Sequence, residues 1–195
     1  MRIALVLVIV GCGSNALPND VDAPAGQRDA PVYLDAPAGG AFALTSPMLA
    51  PNGTFAAANT CTGPGNTSPQ LVWTGDSKGA LGFAVTLTDI DNNNLIHWAI
   101  YDIPASATGL PADVMKAYAP SNVAGAHQTD SYQAGMRGYL GPCPPVKHNY
   151  RFDVYGLDVA TIPSTSMSTT RAQVVPLMMQ HMVVTASLTG NYTQP

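Results

Sequence analysis

Apolar residues in this chain cluster in short runs of four to eight, and no long helical stripe is visible. Phe42 to Ser46 is a brief apolar/polar run bounded by Pro47. Gln70 to Thr74 and Gly82 to Thr88 predict strands, the second alternating in part. Ile96 to Ile103 is apolar enough for a buried strand and stops before Pro104, and Tyr150 to Leu157 alternates again. Ser168 to Met182 is the stretch that can hold a short helix, interrupted by Pro176, and Val183 to Thr189 returns to strand. Seven or so short strands between Gly, Pro and Asn turns predict a mainly β fold. The expected form is a two-sheet antiparallel sandwich with one or two short helices and long, shaped loops.

The two ends of the chain read differently. Met1-Arg2, an apolar run from Ile3 to Gly11 and then Cys12 describe an export signal. The run is about half the ~20 residues that a spanning helix needs. Ile9-Val10-Gly11-Cys12 resembles a bacterial lipoprotein cleavage box, which would make Cys12 the lipidated first residue; the plainer alternative is an ordinary signal peptide. From residue 13 to 40, Asp-Ala-Pro occurs three times, at Asp22, Asp29 and Asp35. Such a segment has little to bury and predicts an extended, disordered tether. The expected organisation is therefore a signal segment over 1–12, a tether over 13–40 and a folded domain over 41–195. The expected place is the bacterial cell envelope, with a membrane contact through the N-terminal lipid.

Composition narrows the possibilities. All 12 acidic residues are Asp, only 10% of the chain is charged, and Gly and Pro number 18 and 17. Strong helix formers are scarce, which excludes a helical bundle or coiled coil. A net charge of -4 with 7% aromatics argues against a nucleic-acid partner. Four Asp against Arg28 place most of the acidity in the tether, leaving the domain close to neutral.

Candidate chemistry is sparse. Gly75-Asp76-Ser77-Lys78-Gly79 fits the expression of a hydrolase nucleophile elbow, but the elbow needs a helix next, and Ala80 to Thr88 reads as a strand. A hairpin turn is expected there, and no catalytic residue, metal or cofactor. Asp89-Ile90-Asp91 closes one strand and His97-Trp98 opens the next across Asn92 to Asn94; Gly141-Pro142-Cys143-Pro144-Pro145 and His148-Asn149-Tyr150 come later. Polar strand ends beside proline loops are where a sandwich builds a pocket. His127 is expected to be solvated in a polar loop, His181 to pack or hydrogen-bond, and Met178, Met179 and Met182 to fill core.

With Thr60-Cys61-Thr62-Gly63, Asn66 to Trp73, His97 to Pro104, Gly138 to Pro145, His181 and Leu188 to Tyr192 in the same order, the chain resembles the phosphatidylethanolamine-binding protein (Raf kinase inhibitor-like) family, in its bacterial branch. The resemblance implies two antiparallel sheets with a small anion pocket at one edge. It implies that Asp89, Asp91, His97, His148 and Tyr150 line the pocket, with Gly138 to Pro145, including Gly141 and Pro142, as rim. Cys61 and Cys143, which the family places near the rim, are expected to form a disulfide. The implied role is non-enzymatic binding of a small phosphorylated ligand or phospholipid head group. The alternative is a protein-interaction or inhibitor module, regulating a kinase or protease partner. Two departures stand out: the family's Asp-Pro-Asp-x-Pro has become Asp89-Ile90-Asp91-Asn92-Asn93, and its His-Arg-Tyr has become His148-Asn149-Tyr150. Each Asp is expected to hold one histidine in its charged form, and the imidazolium then to donate to the anion.

Overall fold

The computed structural model describes residues 40–61 and 64–195. The expected signal segment, nearly all of the tether and Cys12 lie outside the described residues. Among the described residues, nine strands and one α-helix follow in the order β1 (Ala43–Thr45), β2 (Gly53–Thr54), β3 (Leu71–Thr74), β4 (Gly82–Asp89), β5 (Leu95–Pro104), β6 (Gly109–Leu110), β7 (His127–Gln128), β8 (His148–Leu157), α1 (Arg171–Gln180) and β9 (Met182–Tyr192). They build a six-stranded sheet, β2-β9-β8-β4-β5-β7, and a three-stranded sheet, β1-β3-β6. The strand pairs are antiparallel, apart from the short parallel pair β2–β9.

Alternation along β4 explains why two layers cover the large sheet. Phe83, Val85 and Leu87 meet Leu44, Leu71 and Trp73 of the small sheet in the main core, with Trp98, Phe152, Val154 and Leu188 beside them. Ala84 belongs to the opposite face, where Ala99, Tyr101 and Leu157 pack with Val174 and Met178 of α1. Both faces of β4 are thus buried, which is why its pattern alternates only in part. The helix survives Pro176 because its apolar contacts to the sheet offset the lost backbone bond. Its first turn is closed by Gln173 Oε1, which accepts from the Thr170 N–H at 2.9 Å.

Two local expectations are corrected. Gly75 to Gly79 is not a hairpin turn, because β3 and β4 lie in different sheets and the turn crosses between them. Gly75 takes φ +92, and a Cβ there would stand 2.3 Å from the Ala41 carbonyl oxygen. His127 is not a solvated loop residue: it forms β7, donates from Nδ1 to Asp102 Oδ2 at 2.9 Å and stacks on Tyr118 at 4.5 Å.

The long segment after β6 is fastened by one buried amide. Trp98 Nε1–H donates to Gln128 Oε1 at 2.6 Å, and Gln128 Nε2 donates to the carbonyls of Met115 and Ala117 at 2.8 and 3.0 Å. Gln128→Leu would strand one donor and two acceptors without water. The expected loss is about 2–4 kcal/mol of stability in urea unfolding. A loss below about 0.5 kcal/mol would show that the amide is not the fastening.

Candidate functional site

Three neighbouring strands deliver the polar cluster to one end of the large sheet. Asp89 ends β4, opposite Leu95 of β5 and Tyr150 of β8, and His148 opens β8. His97 reaches the same place through a break in register. Leu87 pairs with Trp98 but Thr88 pairs with Ile96, so His97 is the extra residue of a β-bulge. A bulge bends its strand and re-aims one side chain. Here it lets His97 and Trp98, neighbours in sequence, both serve the inner side: Trp98 in the core, His97 on the pocket.

The resulting cavity is about 130 Å³, walled by Asp89, Asn92, Leu95, His97, Tyr132, Cys143, Pro144, Pro145, His148 and Tyr150. A larger open groove of about 380 Å³ runs beside β6 but has no titratable side chain in its wall. The smaller hollow is the chemical one.

Asp89 is its electrostatic centre. It is only 2% exposed, and its Oδ2 accepts from His148 Nδ1–H at 2.8 Å while its Oδ1 accepts from the Asp91 N–H at 3.2 Å. The Tyr150 phenol stands beside it in the cavity wall. His97 Nε2 stands 4.0 Å from the same Oδ2. Its Nδ1 donates to the Leu140 carbonyl at 3.1 Å. Both imidazoles therefore commit Nδ1 to the protein, so Nε2 is the ring nitrogen each has left over. Burial pushes the His97 pKa down, against the pull of the Leu140 carbonyl, the Asp89 charge and the Gly141 backbone; Arg171 adds to the depression. Burial and the neighbouring Asp89 push Tyr150 far up, so it stays a neutral phenol. Tyr132 lies over His97 at 4.6 Å, and Tyr150 meets the same ring edge-on at 5.3 Å.

The structure corrects the expected site in three places. Asp91 does not line the cavity: its Oδ2 accepts from the Asn149 N–H and Nδ2–H at 2.7 and 2.8 Å, tying the β4–β5 turn to β8. The pairing of one Asp with each histidine gives way to a single Asp89 serving both. Gly141 and Pro142 stand behind the wall. The Gly141 N–H donates to Asn66 Oδ1 at 2.7 Å and the Pro142 carbonyl accepts from the Cys61 N–H at 3.0 Å. A Cβ on Gly141 would sit 2.2 Å from the Asn59 carbonyl, so that packing requires glycine. Cys61 and Cys143 are joined by a disulfide across 82 residues, and Gln194 Nε2 donates to Cys143 Sγ at 3.1 Å. Sequence reading missed Tyr132. Its signal is a single aromatic in a polar run ahead of Gly135 and Gly138, both at positive φ, in a loop closed by the Asp130–Arg137 bridge.

Comparison with known proteins agrees with this fold. The family model described as phosphatidylethanolamine-binding protein matches residues 45–193. The chain is 36% identical over 134 residues to the protein YbcL of Escherichia coli (strain K12), covering 66% of this chain and 72% of that protein. It is 34% identical over 143 residues to a protein of Methanothermobacter thermautotrophicus, covering 72% of this chain and 91% of that one. The crystal structure of E. coli YbcL, described as a new member of the mammalian family, superposes with a TM-score of 0.72 at 30% identity, covering 80% of this chain and all of that chain. A homologue from Chlamydia trachomatis superposes with a TM-score of 0.65 at 28% identity, over 80% of this chain and 99% of that one.

The depressed His97 pKa has a signed consequence. Since the folded value lies below the ordinary 6.5, the folded state resists protonation. His97's share of stability is complete above the unfolded value and declines as pH falls from there toward the folded value. NMR titration should find His97 below 6.5, and lower still in Asp89→Asn, which removes a charge that favours the proton. An upward shift in Asp89→Asn would contradict this electrostatic picture.

Proposed function

Since the chain belongs to the phosphatidylethanolamine-binding protein family, we propose that it is a non-enzymatic envelope protein whose small polar pocket binds phosphate or a phosphorylated head group. The observation that carries this reading is that Asp89 already spends both oxygens on protein donors. His148 Nδ1–H gives to Oδ2 and the Asp91 N–H to Oδ1. The carboxylate is then a support for imidazolium, and the imidazole Nε2–H groups are what a ligand meets. Among the described residues the cavity wall contains no Lys or Arg, so on this reading the positive charge for an anion comes from His97 and His148. Binding is therefore strongest where the imidazoles are protonated.

At about 130 Å³ the cavity suits a head group and not a drug-sized ligand. No nucleophile with an adjacent activating base lies in its wall, which favours binding over turnover. The same reading exports the domain by residues 1–12 and tethers it to the membrane through Cys12.

Calorimetry and thermal melting with inorganic phosphate and with phosphoethanolamine at pH 5.5 and 8.0 test the reading. Affinity should be about tenfold or more weaker at pH 8.0, as expected when one proton must be supplied. His148→Ala should lose binding at both. Absence of binding at pH 5.5, or binding unchanged in His148→Ala, would overturn it.

A further inference from the structure

Two aromatic rings pack on His97, and they rest on different supports. Tyr150 meets the imidazole edge-on at 5.3 Å and is itself part of the core, with Phe55 behind it at 5.8 Å. Tyr132 lies over the same ring at 4.6 Å, tilted by 59°, and is only half-buried. It is the one wall residue that comes from the loop between Asp130 and Arg137. That loop is fastened at its base. Arg137 Nε pairs with Asp130 Oδ1 at 2.8 Å, the Ser131 N–H donates to the Met136 carbonyl at 2.7 Å, and the Gly138 N–H donates to the Thr129 carbonyl at 3.0 Å. The Tyr132 ring is thus held over the imidazole from outside the core. His97 forms part of a cavity wall and yet is 2% exposed.

We propose that Tyr132 is a positioning residue of the pocket: its ring caps His97 against water and thereby sets the pH range over which the pocket takes its anion. This role rests on the anion reading given above. An imidazolium without water is costly, so a cap disfavours the charged form. A ring tilted by 59° does not lay its face flat on the imidazole, and exclusion of water therefore outweighs any attraction to the cation. Burial is the largest influence on His97. The remaining influences come from other elements. Asp89 of β4 and the backbone at Leu140 and Gly141 favour the proton, and Arg171 of α1 opposes it. His148 and Tyr150 of β8 share the cavity. None of these groups lies in segment 131–137, so removing the Tyr132 ring changes the burial of His97 and leaves its charged neighbours in place.

Histidine NMR titration of the full chain, followed by calorimetry with inorganic phosphate, tests the cap. In Tyr132→Ala the His97 midpoint should rise by about half a unit or more toward the ordinary value. His148, whose ring neighbour is Tyr150 at 6.4 Å, should stay where it is. Tyr132→Phe keeps the ring and should titrate as the parent does. The fall in phosphate affinity from pH 5.5 to 8.0 should be about twofold or more smaller in Tyr132→Ala than in the parent. A lost ligand contact would lower both affinities alike and leave that ratio unchanged. An unmoved His97 midpoint in Tyr132→Ala, an equal rise at His148, an unchanged ratio, or Tyr132→Phe behaving as Tyr132→Ala would overturn the proposal. A parent protein that binds no phosphate at pH 5.5 would overturn the anion reading and this role with it. Phosphate binding by the parent with an unmoved His97 midpoint would overturn the role of Tyr132 alone.

Discussion

A carboxylate at 2% exposure keeps its charge only if the protein replaces the water it has lost, and at Asp89 that replacement organises the whole end of the sandwich. Its donors come from separate places: the β4–β5 turn through the Asp91 N–H, and β8 through His148. Removing the charge would leave those donors unmatched, and removing them would leave a buried anion unpaired. The pocket is thus a by-product of solving a burial problem at the junction of β4, β5 and β8. Because Asp89 spends its oxygens on the protein, the ligand-facing chemistry passes to the imidazoles.

The bulge at His97 is the second requirement. Strict alternation would carry His97 to the helix-covered face, where Ala99 and Tyr101 lie. The extra residue instead places it among Asp89, Tyr132 and Tyr150. There burial depresses its pKa, so His97 protonates reluctantly and an arriving anion and proton favour each other. The disulfide borders this arrangement through Cys143, one of the wall residues. It joins Cys61 to the Gly138–Pro145 loop, the segment that supplies both the Leu140 carbonyl behind His97 and part of the cavity wall.

Much of the fold was legible because period and punctuation agree. The five longer runs fall where the sequence puts them, and β5, expected to stop at Ile103, reaches Pro104. What was hidden was register. Nothing in Leu95 to Trp98 announces a bulge, and nothing in Gly75 to Gly79 tells a sheet-crossing turn from a hairpin, since both need the same positive-φ glycine. At the site, Asp89, His97, His148 and Tyr150 share one cavity wall. Asp91 separates from them because its own N–H folds back on Asp89 and sends its carboxylate toward Asn149. Tyr132 escaped notice because it comes from a loop closed by backbone bonds and by the Asp130–Arg137 ion pair, a pairing seven residues apart that no motif marks. The methionines at the end of α1 were misjudged for a related reason: apolar character suggests burial, but the turn from helix to strand leaves only one of three facing the core.

The central claim is that the pocket takes an anion together with a proton on imidazole. The most direct measurement is phosphate calorimetry near pH 7 in buffers of different ionisation enthalpy, which counts the protons exchanged on binding. The account predicts net uptake on the order of one proton per phosphate bound. Binding with no proton uptake would mean that the imidazoles do not supply the charge, and would contradict it.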